Sequence, residues 1–81
     1  MPLVFRHDGY RFFFYSNEGS PREPVHIHIR KGREEAKLWL RPVIKVAYNE
    51  GFDARTLRSL VELTALRAHE IEDSWREHFA D

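Results

Sequence analysis

The sequence predicts an α+β domain: an antiparallel sheet of four or five strands, packed on one face by a single long C-terminal helix. Three observations carry this. The first half alternates apolar and polar residues in short runs, separated by Gly, Pro and Asn. From Ala54 to about Phe79 there is neither Pro nor Gly, and apolar residues recur at three- and four-residue spacing. The chain has 81 residues, so it reads as one domain, 1–81, whose modest core would gain from a partner or a second copy.

The elements can be justified in chain order. "LVFR-HDG-YRFFFY" reads as a hairpin, because Asp8-Gly9 supplies the positive φ that tight turns need. "SNEGSPREP" (residues 16–24) is a loop, long enough to carry function. "VHIHIRK" and "EAKLWL" form a second hairpin about Gly32, and Pro42 ends its regular pairing. "VIKVAYNEGF" is a further short strand or an irregular approach with its turn at Asn49 to Gly51, and Asp53 is the expected N-cap. The helix presents Leu57, Val61, Thr64, Ala68, Ile71, Trp75 and Phe79 on one side. At roughly 38 Å it would overhang a small sheet, leaving Trp75 and Phe79 for a partner.

Alternation assigns faces. Val25, Ile27 and Ile29, with Ala36, Leu38, Leu40, Tyr10, Phe12 and Phe14, are expected under the helix. Arg11, Phe13, Tyr15, His26, His28, Arg30, Lys37, Trp39 and Arg41 fall on the other face, which one helix leaves open to solvent or a partner. That face is basic, aromatic and histidine-bearing.

Composition narrows the function classes. Cysteine is absent, which removes disulfides and thiolate metal sites. The N-terminal residues hold no apolar stretch long enough for a signal sequence, and nothing approaches a membrane span, so a cytoplasmic protein without membrane contact is expected. The net charge is zero, against a general nucleic-acid binder. The charges are nevertheless segregated: residues 1–46 carry nine Lys/Arg against five Asp/Glu, and residues 47–81 carry four against eight.

The stretch "PVHIHIR" poses the sharpest chemical question. Histidines two apart on a strand point the same way, about 7 Å apart in Cα, so His26 and His28 are candidate ligands for one metal ion. A third ligand would come from His7, Asp8, Glu23, His69 or Glu70, and no spacing selects among them. Alternatively His26 and His28 are catalytic as acid and base without metal, or simply a solvated or hydrogen-bonded pair. "HEIED" is not an H-E-x-x-H motif, and no phosphate loop or nucleophile elbow occurs. No cofactor is expected. The basic-aromatic face suits either a protein interface or a single-stranded RNA platform, and the interface is the simpler fit to zero net charge.

"YRFFFYSNEG", "EPVHIHIRKG", "EAKLWL" and a helix ending in Trp-x-x-x-Phe together resemble the domain of unknown function 4160 family of small prokaryotic proteins. The resemblance spans nearly the whole chain, and its most specific part is Ser16 to Gly32, with Pro24 before the histidine pair. Where some relatives place a helix histidine eight residues before the Trp, this chain has Arg67. Genes of that family often neighbour those of the domain of unknown function 2442 family. The resemblance thus implies a toxin–antitoxin-like component with a small partner protein encoded by the adjacent gene. In that expectation Phe13, Tyr15 and Trp39 anchor the contact, and Arg11, Arg30, Lys37 and Arg41 orient it. The rival expectations are a metal-independent ribonuclease-like toxin using His26 and His28, and a metal-dependent enzyme with the same pair as ligands. RNA and a second copy of the chain are the other candidate partners.

Overall fold

A computed structural model describes residues 2–17 and 23–79; residues 18–22 of the expected loop lie outside them. Five strands form one antiparallel sheet in chain order: β1 (Leu3–His7), β2 (Tyr10–Phe13), β3 (His26–Lys31), β4 (Glu34–Trp39) and β5 (Lys45–Glu50). Two helices come after the sheet, α1 (Ala54–Leu66) and α2 (Ala68–His78).

Turn chemistry sets the two tight hairpins. Asp8 and Gly9 both have positive φ, 51° and 82°, the conformation that matches the twist of the flanking strands. Gly32 alone does so between β3 and β4, at φ 62°. Alternation then places Phe12, Phe14, Ile27, Ile29, Ala36, Leu38 and Leu40 in one buried cluster with Phe5, Phe52, Leu60, Ile71 and Trp75. The aliphatic face is therefore the helix face, as the periodicity predicts.

Both edge strands carry a bulge. Leu3 pairs with Phe13 while Phe5 pairs with Phe12, leaving Val4 as the extra residue of β1. Lys37 pairs with Tyr48 while Leu38 pairs with Val46, leaving Ala47 as the extra residue of β5. The second bulge changes the composition of the histidine face. Strict alternation would put Tyr48 on the same side as Val46, whereas the inserted Ala47 turns it towards the histidines.

The C-terminal helix is two helices, which corrects the expectation of one. Asp53 caps α1 by accepting the Thr56 N–H at 2.7 Å. The Thr64 hydroxyl, fully buried, donates to the Leu60 carbonyl at 2.8 Å, a back-bond that bends helices. The chain breaks three residues later at Arg67, with φ −112° and ψ 22°. Arg67 lies over the Phe5 ring at 3.5 Å and pairs with Glu70 at 2.8 Å, so its own contacts hold the corner. Trp75 and Phe79 consequently do not overhang. Trp75 is buried, 5.2 Å from Phe14 on the helix face and 4.8 Å from His26 on the other. To touch rings from both faces, α2 must lie across the end of the sheet where β3 begins and β4 ends.

Candidate functional site

The face opposite α1 is built from residues that pair across strands. His28 lies between Phe13 of β2 and Lys37 of β4, and Lys37 pairs in turn with Tyr48 of β5. His26 pairs with Trp39. The register thus brings Phe13, His26, His28, Lys37, Trp39 and Tyr48 together, with Tyr15 just beyond the end of β2.

This face is not the open surface the sequence predicts. His26, His28 and Phe13 are 0%, 3% and 1% exposed. The cause is aromatic bulk within the face and α2 at its end. Phe13 stacks on His28 at 5.6 Å, Tyr15 meets the same imidazole edge-on at 4.5 Å, and His26 sits against His28, Trp39 and Trp75 at 5.2, 5.3 and 4.8 Å. Alternation tells which face a side chain occupies, not how much its neighbours cover it.

At the centre is Glu35, a residue that no motif in the sequence marks. Its nearly buried carboxylate accepts from the Tyr15 hydroxyl at 3.1 and 3.2 Å and from the Tyr48 hydroxyl at 2.6 Å. His28 Nδ1 approaches the same carboxylate at 3.5 Å, and Arg30 lies at 3.8 Å. A buried carboxylate needs several such partners to offset the loss of water. Burial first, and then the hydrogen bond to Glu35, push the Tyr48 phenol well above its usual range.

Those bonds also fix tautomers. Tyr48 donates to Glu35, so its oxygen accepts from His28 Nδ1–H at 3.3 Å. His26 Nδ1 lies 3.0 Å from the Pro24 carbonyl, which can only accept, so this nitrogen too carries a proton.

The remaining predicted residues separate. Lys37 pairs with Glu23 at 3.1 Å and covers the Trp39 ring at 4.3 Å. Arg41 lies outside β4 and pairs with the nearly buried Glu72 of α2 at 2.7 Å, so it belongs to the α2 junction rather than to the face. Arg11 and Arg30 remain at its edge, half-buried.

Among the described residues, no group of three or more His, Asp or Glu could hold a metal ion. A pocket of 260 Å³ lies elsewhere, between the β1–β2 turn and α1, lined by His7, Asp8, Tyr10, Arg55, Thr56 and Ser59 among others. None of the histidine-face residues reaches it.

Of the two residues that complete the cluster, Glu35 is within reach of the sequence. It lies two before Lys37 on the same strand, and counting by twos places it on the histidine face. Tyr48 is not, because alternation assigns it the wrong side.

The model of the family described as domain of unknown function (DUF4160) matches residues 9–76, which include every strand of this site except β1. The chain belongs to this family. No curated protein and no solved structure matches it. The matched span of this DUF4160 chain includes Glu35, Tyr48, the β5 bulge and the break at Arg67 as well as the histidine pair. Among the described residues, no helix is long and apolar enough to cross a membrane.

Proposed function

We propose that this DUF4160 protein is a binding module, one component of a two-gene toxin–antitoxin-like system that engages a small partner protein through its histidine face. The observation that carries the reading is the sealing of that face. Histidines held under rings and tied to a tyrosine–glutamate cluster make a rigid platform, and a preordered surface loses little side-chain entropy on binding. Tyr15 and Trp39 keep partly exposed edges around it, with Arg11 and Arg30 at the margin. Half-covered Trp, Tyr and Arg are the residues that anchor protein interfaces. Cytoplasmic action is part of the same proposal.

Co-expression with the adjacent gene should give a complex that co-elutes on a sizing column, and Trp39→Ala should weaken it without unfolding the chain. Separate elution of two folded proteins would remove this reading.

The metal-independent ribonuclease-like reading keeps one observation in its favour, the hydrogen-bonded chain from His28 through Tyr48 to Glu35. The burial of both imidazoles weighs against it, since neither can reach a phosphodiester without displacing Tyr15 or Trp39. Its test is RNA degradation by the purified protein that disappears in His28→Ala. The metal-dependent reading has no third ligand among the described residues to support it.

A further inference from the structure

One row of the sheet places three arginines side by side. Arg6 of β1 is the cross-strand partner of Arg11 of β2, and Arg11 is the partner of Arg30 of β3. The row continues into Glu35 of β4 and Glu50 of β5. Five consecutive strands thus present plus, plus, plus, minus, minus at one level. Direct partners point to the same side, so all five lie on the histidine face.

Apart from the Arg30–Glu35 pair, this order works against folding. Like charges directly opposite one another destabilise a sheet, and three of the four neighbouring pairs in this row are like-charged: Arg6–Arg11, Arg11–Arg30 and Glu35–Glu50. Arg30 is partly balanced by Glu35 at 3.8 Å. Among the described residues, neither Arg6 nor Arg11 has a carboxylate partner. Arg6 is exposed and Arg11 half-exposed, so both guanidinium groups can reach a ligand. Neighbouring strands are about 4.8 Å apart, so the three span about 10 Å.

We infer that Arg6, Arg11 and Arg30 form a docking row for an acidic segment of a partner protein. The inference rests on the protein-binding reading above and names the chemistry of its partner. Two observations favour carboxylates on a protein over the phosphates of RNA. The ring faces that would stack on bases are engaged, although edges stay exposed: Phe13 is buried, the Lys37 ammonium lies over the Trp39 ring, and Tyr15 packs against Phe13 and His28. The row also ends in Glu35 and Glu50, a change of sign along the sheet that a phosphate backbone, negative throughout, cannot match. A protein segment can carry acids over β1 to β3 and a base over β5, matching the whole row.

The test uses fluorescein-labelled octaglutamate as probe, with labelled oligouridine of equal charge as the second arm. The full chain should bind octaglutamate more tightly than oligouridine, with affinity falling as salt rises. The pair Arg6→Gln and Arg11→Gln should weaken octaglutamate binding about tenfold. Its thermal midpoint should hold or rise, because a repulsion has been removed. Arg55→Gln with Arg58→Gln removes the same charge from α1 and should leave affinity within about twofold. Equal weakening by the two pairs would reduce the row to a general charge effect and overturn the inference. Absence of octaglutamate binding, tighter oligouridine binding, or a lowered midpoint in the row variant would each overturn it too. A complex with the adjacent gene product could survive any of these results, so the row and the binding reading fail separately.

Discussion

At the scale of single residues, Tyr48 and Glu35 decide whether the histidines sit in a fixed state. The 2.6 Å bond between them is short and charge-assisted, and it leaves the Tyr48 oxygen to accept from His28. Tyr48→Phe removes the donor while Glu35 keeps Tyr15, so the loss should be about 2 kcal/mol by chemical denaturation. The pH dependence has a definite sign. A phenol raised above its unfolded value contributes stability that is whole below about pH 10 and is lost as pH climbs through the folded value. Absorbance titration should therefore show one of the three tyrosines ionising last, together with alkaline unfolding, and Tyr48→Phe should delete that step. Asp53 has the opposite sign. Its carboxylate is held below the usual range by the Thr56 N–H, so its capping contribution is present at neutral pH and lost as acid protonates it. Asp53→Ala should flatten the acid limb of the stability profile.

Among the elements, α2 is the one whose role differs most from the linear pattern. Trp75 joins Phe14, Phe79 and His26, so it closes the helix face and supports the histidine face at once. Trp75→Ala should cost about 3 to 5 kcal/mol in denaturant unfolding and loosen the packing around His26. A loss near that of an exposed residue would show that α2 does not hold the sheet end. The strands, the two hairpin turns, the Asp53 cap and the helix-facing stripe were all legible, because period-two alternation, positive-φ turn residues and three–four spacing are local signals. The helix break was not legible. Arg67 is no helix breaker; Glu70 holds it from three residues on, but the Phe5 ring beneath it is brought near only by the fold. The candidate site was half legible: His26, His28, Phe13, Tyr15 and Trp39 do converge, but their burial depends on α2 and on Tyr48, which no local pattern reveals. Both edge strands being bulged is also an element-scale fact. A bulge twists an edge away from further pairing, which argues against growth of the sheet by strand addition at either side.

Over the whole molecule, one apolar cluster joins all five strands or their flanks to both helices. Unfolding should therefore be a single transition. The two tryptophans report on different parts, Trp39 on the sheet and Trp75 on α2. Denaturant midpoints of Trp39→Phe and Trp75→Phe, each followed by its remaining indole and by far-ultraviolet dichroism, should coincide between the two probes. Divergence would mean that α2 detaches first. The radius of gyration, 11.8 Å, is about what a folded domain of this length has. Finally, the extra residue at Ala47 gives the spacing between Trp39 and Tyr48 a meaning of its own. Removing one residue there would leave composition and hydropathy nearly unchanged, yet it would rotate the tyrosine into the aliphatic layer and strip the imidazole of its partner. In related chains, then, this segment should tolerate changes of letter far better than changes of length, and two homologues differing by a single gap there would share a fold without sharing a surface.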